Sequence, residues 1–304
     1  MKRQFVIPAA LLILAITAGA ALLVAGPADA DRGGTHDVTL QSPVRIAAMD
    51  DGPLLVSDYA AGSVCMVNRN TLAVLRCIAV EGRPLGVAWS RGLVYVGNET
   101  AGTVEVYNPG GKLLFRFGSE GSARVPQSIA LDAGSGRVFV VDGLEKAIKV
   151  FDLNGSPVAT ITGDAAGNGK LVNPVACAVD PARSEVLVSD YGDPAASFPA
   201  RIRIYDFSGN FVTALSGRTG GFSRPQGLFV QGNLIFLADG MLGQVLVFDR
   251  TTLAKVKTLG SFGDAPGQLM VPLDVLVDPA SADVFVTNNR AGRVERFKKG
   301  GLVP

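Results

Sequence analysis

The sequence predicts an all-β protein, a six-bladed β-propeller of four-stranded antiparallel blades. Three observations carry this. A proline-led hairpin recurs six times along the chain. The interval between copies is that of a propeller blade. Each copy is followed by a further strand of strict period two, as a half-buried strand requires.

The copies read "PVRIAAMDDGPLLVSD", "PLGVAWSRGLVYVGN", "PQSIALDAGSGRVFVVD", "PVACAVDPARSEVLVSD", "PQGLFVQGNLIFLAD" and "PLDVLVDPASADVFVTN". They begin at Pro43, Pro84, Pro126, Pro174, Pro225 and Pro272. Each gives an apolar strand, a turn, a second apolar strand and a closing Asp or Asn. The third strands are "SVCMVN", "TVEVYN", "AIKVFD", "RIRIYD", "QVLVFD" and "RVERFK". Turns rich in Asn, Asp and Gly follow, because these residues accept positive φ. Fourth strands such as "LLFRFG", "PVATITG", "FVTALSG" and "AKVKTLG" complete the blades. The abundance of glycine, 37 residues in a chain that is 48% hydrophobic, fits many turns in a folded chain rather than disorder.

The sixth copy ends at "RVERFKKGGLVP" with no fourth strand. An unpaired edge is an aggregation hazard. The strand-like "HDVTLQS" at 36–42 is expected to supply the outer strand of the last blade and close the ring.

Residues 1–30 are of another kind. Lys2 and Arg3 precede an apolar run from Phe5 to Gly26, then "PADA". This is the pattern of an export signal, with an uncleaved N-terminal anchor as the alternative. Either places residues 31–304, the propeller, in the periplasm or outside the cell. Without residues 1–30 the chain carries 26 basic and 26 acidic side chains. Neutrality, and the absence of any Lys or Arg run, argue against a nucleic-acid partner.

The units resemble NHL repeats: Pro-x-Gly, an apolar strand, Val-x-Val-x-Asp, then Arg-Val-x-Val-Phe-Asp and Gly. The connector "GSFGDAPGQLMVP" at 260–272 is similar to the Gly-rich linkers of that family, and "FGSEGSARVP" and "LSGRTGGFSRP" are looser copies. The resemblance spans about residues 36–300 and implies a binding platform, a sensor ectodomain or, in some members, an enzyme. Fold alone does not choose among these.

Catalytic sets are sparse. The single histidine, His36, sits on the expected closing strand, so Ser-His-Asp chemistry has no base near the channel. Zinc sites want several His or Cys ligands, which the chain does not offer. No Cys-x-x-Cys-His exists for covalent haem. The enzyme alternative is a calcium-dependent hydrolase or lactonase similar to gluconolactonases, with Ca²⁺ on oxygen ligands at the channel mouth. Its ligands would come from the residues that close the second strands: Asn98, Asp142, Asp190, Asp239 and Asn288, with Asp58 the sixth of the ring. Their presence in every blade favours a structural task, a short side chain holding the next turn.

Inner strands line a propeller's channel. Their third residues are Arg45, Gly86, Ser128, Ala176, Gly227 and Asp274. Arg45 and Asp274 break the run of small residues and belong to adjacent blades once the ring closes. With Gln127 and Gln226 they are the channel or ligand candidates. Cys65 and Cys77 sit symmetrically about Thr71 in one hairpin, so in that register they face each other, and a one-residue slip separates them. Export permits a disulfide. Cys177 is read as a small buried hydrophobe. The loop "YGDPAASFPARI" at 191–202 is the longest between a second and third strand. Its Tyr191, Asp193, Phe198 and Arg201 are candidates for contact with a partner. The expectation is a monomeric, non-catalytic scaffold without cofactor that binds an envelope or extracellular protein or a small ligand.

Overall fold

A computed structural model describes residues 39–118, 123–163, 169–193, 195 and 198–299. Among these residues five sheets have four strands and the sixth has three, each ordered from the inner strand outward. Neighbouring strands within each sheet run antiparallel. The inner strands are Pro43–Ala48, Pro84–Ser90, Pro126–Asp132, Pro174–Asp180, Pro225–Gln231 and Pro272–Val277. The second strands are Leu54–Asp58, Leu93–Asn98, Arg137–Asp142, Glu185–Asp190, Leu234–Asp239 and Val284–Asn288. This is the six-bladed β-propeller expected from the repeat.

Each inner strand starts on its proline, where a missing N–H costs least. Register with the second strand then shifts within the first three residues, in all six blades. Such a bulge re-aims the side chain that follows it. It falls at the third-residue positions, so the bulge turns Arg45 and Asp274 toward the channel.

Second and third strands are buried on both faces, while fourth strands expose alternate residues such as Val158, Val212 and Val256. The core is accordingly divided into six clusters, one between each pair of neighbouring blades. The cluster of Ile46, Leu54, Leu276, Phe285 and Val294 joins the sixth blade to the first and closes the ring. Hydroxyls stitch blades at the inner end. Ser57 donates to the Leu85 carbonyl at 2.7 Å, Ser189 to Gln226 at 2.5 Å and Thr287 to Val44 at 2.9 Å.

Of the expected closing strand, residues 36–38, including His36, lie outside the described residues, as do residues 1–30. Leu40 is 8% exposed and packs in the cluster between the last and first blades. Asn289 of the last blade donates to Ser42 Oγ and to the Pro43 carbonyl, at 2.9 and 3.1 Å. Among the described residues the last sheet has three strands.

Cys65 and Cys77 are directly opposite across the first blade's outer strand pair and form a disulfide. The hairpin register centred on Thr71 is the one adopted.

Candidate functional site

The residues that close the second strands form a structural ring. Asp142 accepts the N–H groups of Arg124, Val125, Leu144 and Glu145. Asp239 accepts those of Ser223, Arg224, Met241 and Leu242, at 2.7 to 3.1 Å. Asp190 takes Val172, Asn173 and Gly192, and Asp58 takes Gln41, Ser42 and Ala61. In each blade one carboxylate ties the incoming linker to the outgoing turn. Asn98 does the same with its oxygen, which accepts the Ala101 N–H, and its amide, which donates to the Glu81 carbonyl, while Asn288 spends both on the incoming linker, accepting the Met270 N–H and donating to the Gln268 carbonyl.

The choice between Asp and Asn follows the third strand. Two residues beyond the ring residue's partner stand Cys65, Glu105, Lys149, Arg203, Leu246 and Glu295. In the fourth blade this position reaches the ring, because Arg203 Nε lies 2.8 Å from Asp190. Where it is a glutamate, the ring residue is Asn, which avoids two carboxylates in one buried place. The ring oxygens that the calcium reading would use are engaged by backbone donors. Among the described residues no group of three or more His, Cys, Asp or Glu is gathered for a metal ion.

Arg45 spans the channel. Its Nε donates to the Gln127 carbonyl at 3.1 Å, Nη1 to Leu273 at 2.9 Å and Nη2 to Val175 at 2.7 Å. One side chain of the first blade thus binds the third, fourth and sixth. Asp274 lies 3.8 Å from Nη1 and accepts the Ile46 N–H. It fits because residue 227 is glycine: a Cβ there would meet Asp274 Oδ1 at 1.9 Å. Burial pulls the Arg45 pKa below its ordinary value, against the nearby Asp274 charge. Burial also pushes the Asp274 carboxyl up to about 6, with Arg45 opposing the rise. The expected channel pair is therefore present, but it is more a crosslink than an open ligand site.

Gln127 and Gln226 correct the sequence reading. Both take part through backbone carbonyls, not side chains. Their side chains turn away to the following loops, where Cβ atoms on Gly143 and Gly240 would meet them at 2.0 and 3.2 Å. Each lies within the bulge that opens its inner strand.

Beyond Arg45 and Asp274 the channel widens into a cavity of about 390 Å³. Its walls include Trp89, Leu131, Val179 and Val277, and it extends to Pro181 and Pro279 in the turns between inner and second strands. It opens on the face opposite the 191–202 loop. Cys177 borders it, with its thiol pushed up to about 12 by burial, which makes it unreactive.

A titration follows from Asp274. The folded state keeps its proton to about pH 6, while the unfolded chain releases it near 3.8. Between these values the folded state binds more protons, so this group's contribution to stability falls as pH rises. In denaturant melts from pH 4 to 7, the stability of wild type relative to Asp274→Asn is expected to drop by roughly 1–3 kcal/mol. Parallel curves would refute the assignment.

A second cavity, of about 560 Å³, lies between the third and fourth blades. Lys146, Lys170, Arg201 and Arg203 border it, together with Phe198, Phe211 and Leu171. Gly192, at φ 70°, turns the chain so tightly that a Cβ would meet the Phe198 carbonyl at 2.3 Å. Asp193 and Phe198 then pair through both backbone bonds, at 2.8 and 2.9 Å. Phe198 is left 53% exposed. Tyr191 instead packs under Arg224, 5.7 Å from guanidinium to ring centre. Of the four loop residues expected to meet a partner, Asp193, Phe198 and Arg201 share this cavity and Tyr191 does not. Lys146 and Arg203 were not legible as members: one comes from the neighbouring blade, the other is hidden within a strand.

No family model matches the chain, and no curated protein matches it. Solved structures do. A chain of Kuenenia stuttgartiensis hydrazine synthase is 17% identical with a TM-score of 0.62, over 89% of this chain and 80% of that one. A chain of a nidogen/laminin complex is 16% identical with a TM-score of 0.57, over 72% and 80%. A protein of unknown function from Bacteroides thetaiotaomicron is 16% identical with a TM-score of 0.69, over 88% and 72%. At these identities the likeness is one of fold, and the chain is a β-propeller.

Proposed function

We propose that this protein is an exported NHL-type propeller that acts as a non-catalytic binding scaffold. Its recognition face carries the 191–202 loop and the linkers before the inner strands. The observation that carries this reading is the cavity beside that loop, with Phe198 exposed at its edge on a rigid two-bond bridge. Rigid frames that present loops are where recognition resides. The disulfide supports an oxidising compartment and so agrees with export. The partner is an envelope or extracellular protein, or a small ligand held by the same face.

A photo-crosslinking amino acid at position 198, expressed in the native cell, tests it. A discrete adduct is expected from 198 and none from Val256, which is equally exposed on an outer strand. The same adducts from both positions, or none from 198, would overturn a protein contact at this face.

A further inference from the structure

We propose that the cavity between the third and fourth blades binds a small organic anion, an oxyanion carried on an aromatic or aliphatic body. This rests on the reading of the 191–202 face as the recognition face, and narrows it to a ligand class.

The charge around the cavity is unbalanced. Lys146 comes from the loop after the third blade's second strand, Lys170 from the linker, and Arg201 and Arg203 from the fourth blade's third strand. Among the described residues only Arg203 has an ion-pair partner, Asp190. The one acid on the lining, Asp193, accepts the Ala195 N–H. The excess is local, since the whole chain has a net charge of +1. On the same face Arg124 is neutralised by Glu145 at 3.5 Å.

The deepest cation is prepared for an oxyanion. Arg203 is 8% exposed and spends its Nε on Asp190, while no hydrogen bond among the described residues engages its Nη atoms. Those Nη atoms are not sealed from water, so they stand in the cavity as donors that a ligand can supply with acceptors. An oxyanion does so with paired, charge-assisted bonds. The rest of the lining suits an apolar body: Phe198 at the rim, Phe211 and Leu171 within. The frame is tight as well. Gly169 lets the linker pass where a Cβ would meet the Phe211 ring at 2.5 Å, and Tyr205 donates to its carbonyl. The volume lies in the range of small-molecule sites, about 300–1,000 Å³.

The probe is anilinonaphthalene sulfonate, an aromatic oxyanion that fluoresces on leaving water, compared with its neutral congener phenylnaphthylamine. Binding of one sulfonate per chain is expected, roughly tenfold tighter than the neutral dye and weakened by salt. Lys146→Gln combined with Arg201→Gln should weaken it by at least about tenfold, with the thermal melt unchanged. Displacement by benzoate or by phenyl phosphate then tells which oxyanion the site prefers. Equal affinity for both dyes, an undiminished sulfonate affinity in the double variant, or displacement by neither competitor would overturn the proposal. The two readings separate cleanly. Adducts from position 198 with a charge-indifferent dye keep the scaffold and remove this site. A charge-dependent dye without adducts keeps this site and removes the protein partner.

Discussion

Replacing Arg45 with Met is expected to lower the unfolding free energy by about 3–5 kcal/mol, the cost of breaking a buried charge from its partners. The substitution keeps the apolar stem but deletes the guanidinium and every donor. Three inner-strand carbonyls, of Gln127, Val175 and Leu273, lose their hydrogen bonds at once. Asp274 is left beside them with no counter-charge. Each deserted buried acceptor costs about 1–3 kcal/mol, less whatever water in the adjoining cavity restores. Equilibrium denaturation of wild type and variant measures the loss. The double variant with Asp274→Asn is expected to recover part of it, since the unpaired carboxylate is gone. A single variant within about 0.5 kcal/mol of wild type would show that the guanidinium is not the tie described here.

Asp239→Ala is expected to be nearly as damaging, at about 2–4 kcal/mol, because four backbone N–H groups share that one carboxylate. Two belong to the linker entering the fifth blade and two to the turn leaving its second strand. Both segments lose their anchor together, so hydrogen exchange should quicken at Ser223, Arg224, Met241 and Leu242 before it does elsewhere. Asp239→Asn should fall between, as Asn98 shows: an amide keeps one acceptor but must find a carbonyl for its N–H₂. Unchanged exchange at those four amides in the alanine variant would refute the role.

The fold was legible because the proline-led hairpin marks every inner strand and period-two alternation marks the third. The disulfide was legible for a similar reason, since one register brings Cys65 and Cys77 together. The structural task of the ring residues could be argued from their repetition. What could not be read was its distribution between Asp and Asn, until Glu105 and Glu295 were placed beside Asn98 and Asn288 by the pairing of second and third strands. Arg45 and Asp274 stood out as exceptions in a row of small residues. Their mode did not, because three of the acceptors are backbone carbonyls of other blades and leave no trace in side-chain identity. The side-chain directions of Gln127 and Gln226 could not be read, because each lies within the bulge that opens its inner strand. The blade-four loop was visible by its length. Its cavity was not, because Lys146 is supplied by the preceding blade.

The reach of Arg45 also acts as a gauge. Its three acceptors sit on blades that are not its neighbours in one case, and nearly opposite in another, so the bonds measure the width of the channel and not merely the fit of adjacent blades. A ring enlarged by a duplicated unit would carry those carbonyls outward, beyond a side chain of fixed length. A ring that lost one would crowd them. Blade number in this protein is thus policed by a residue that the duplicated or deleted unit need not contain. The chain cannot satisfy Arg45 until the sixth blade has met the first.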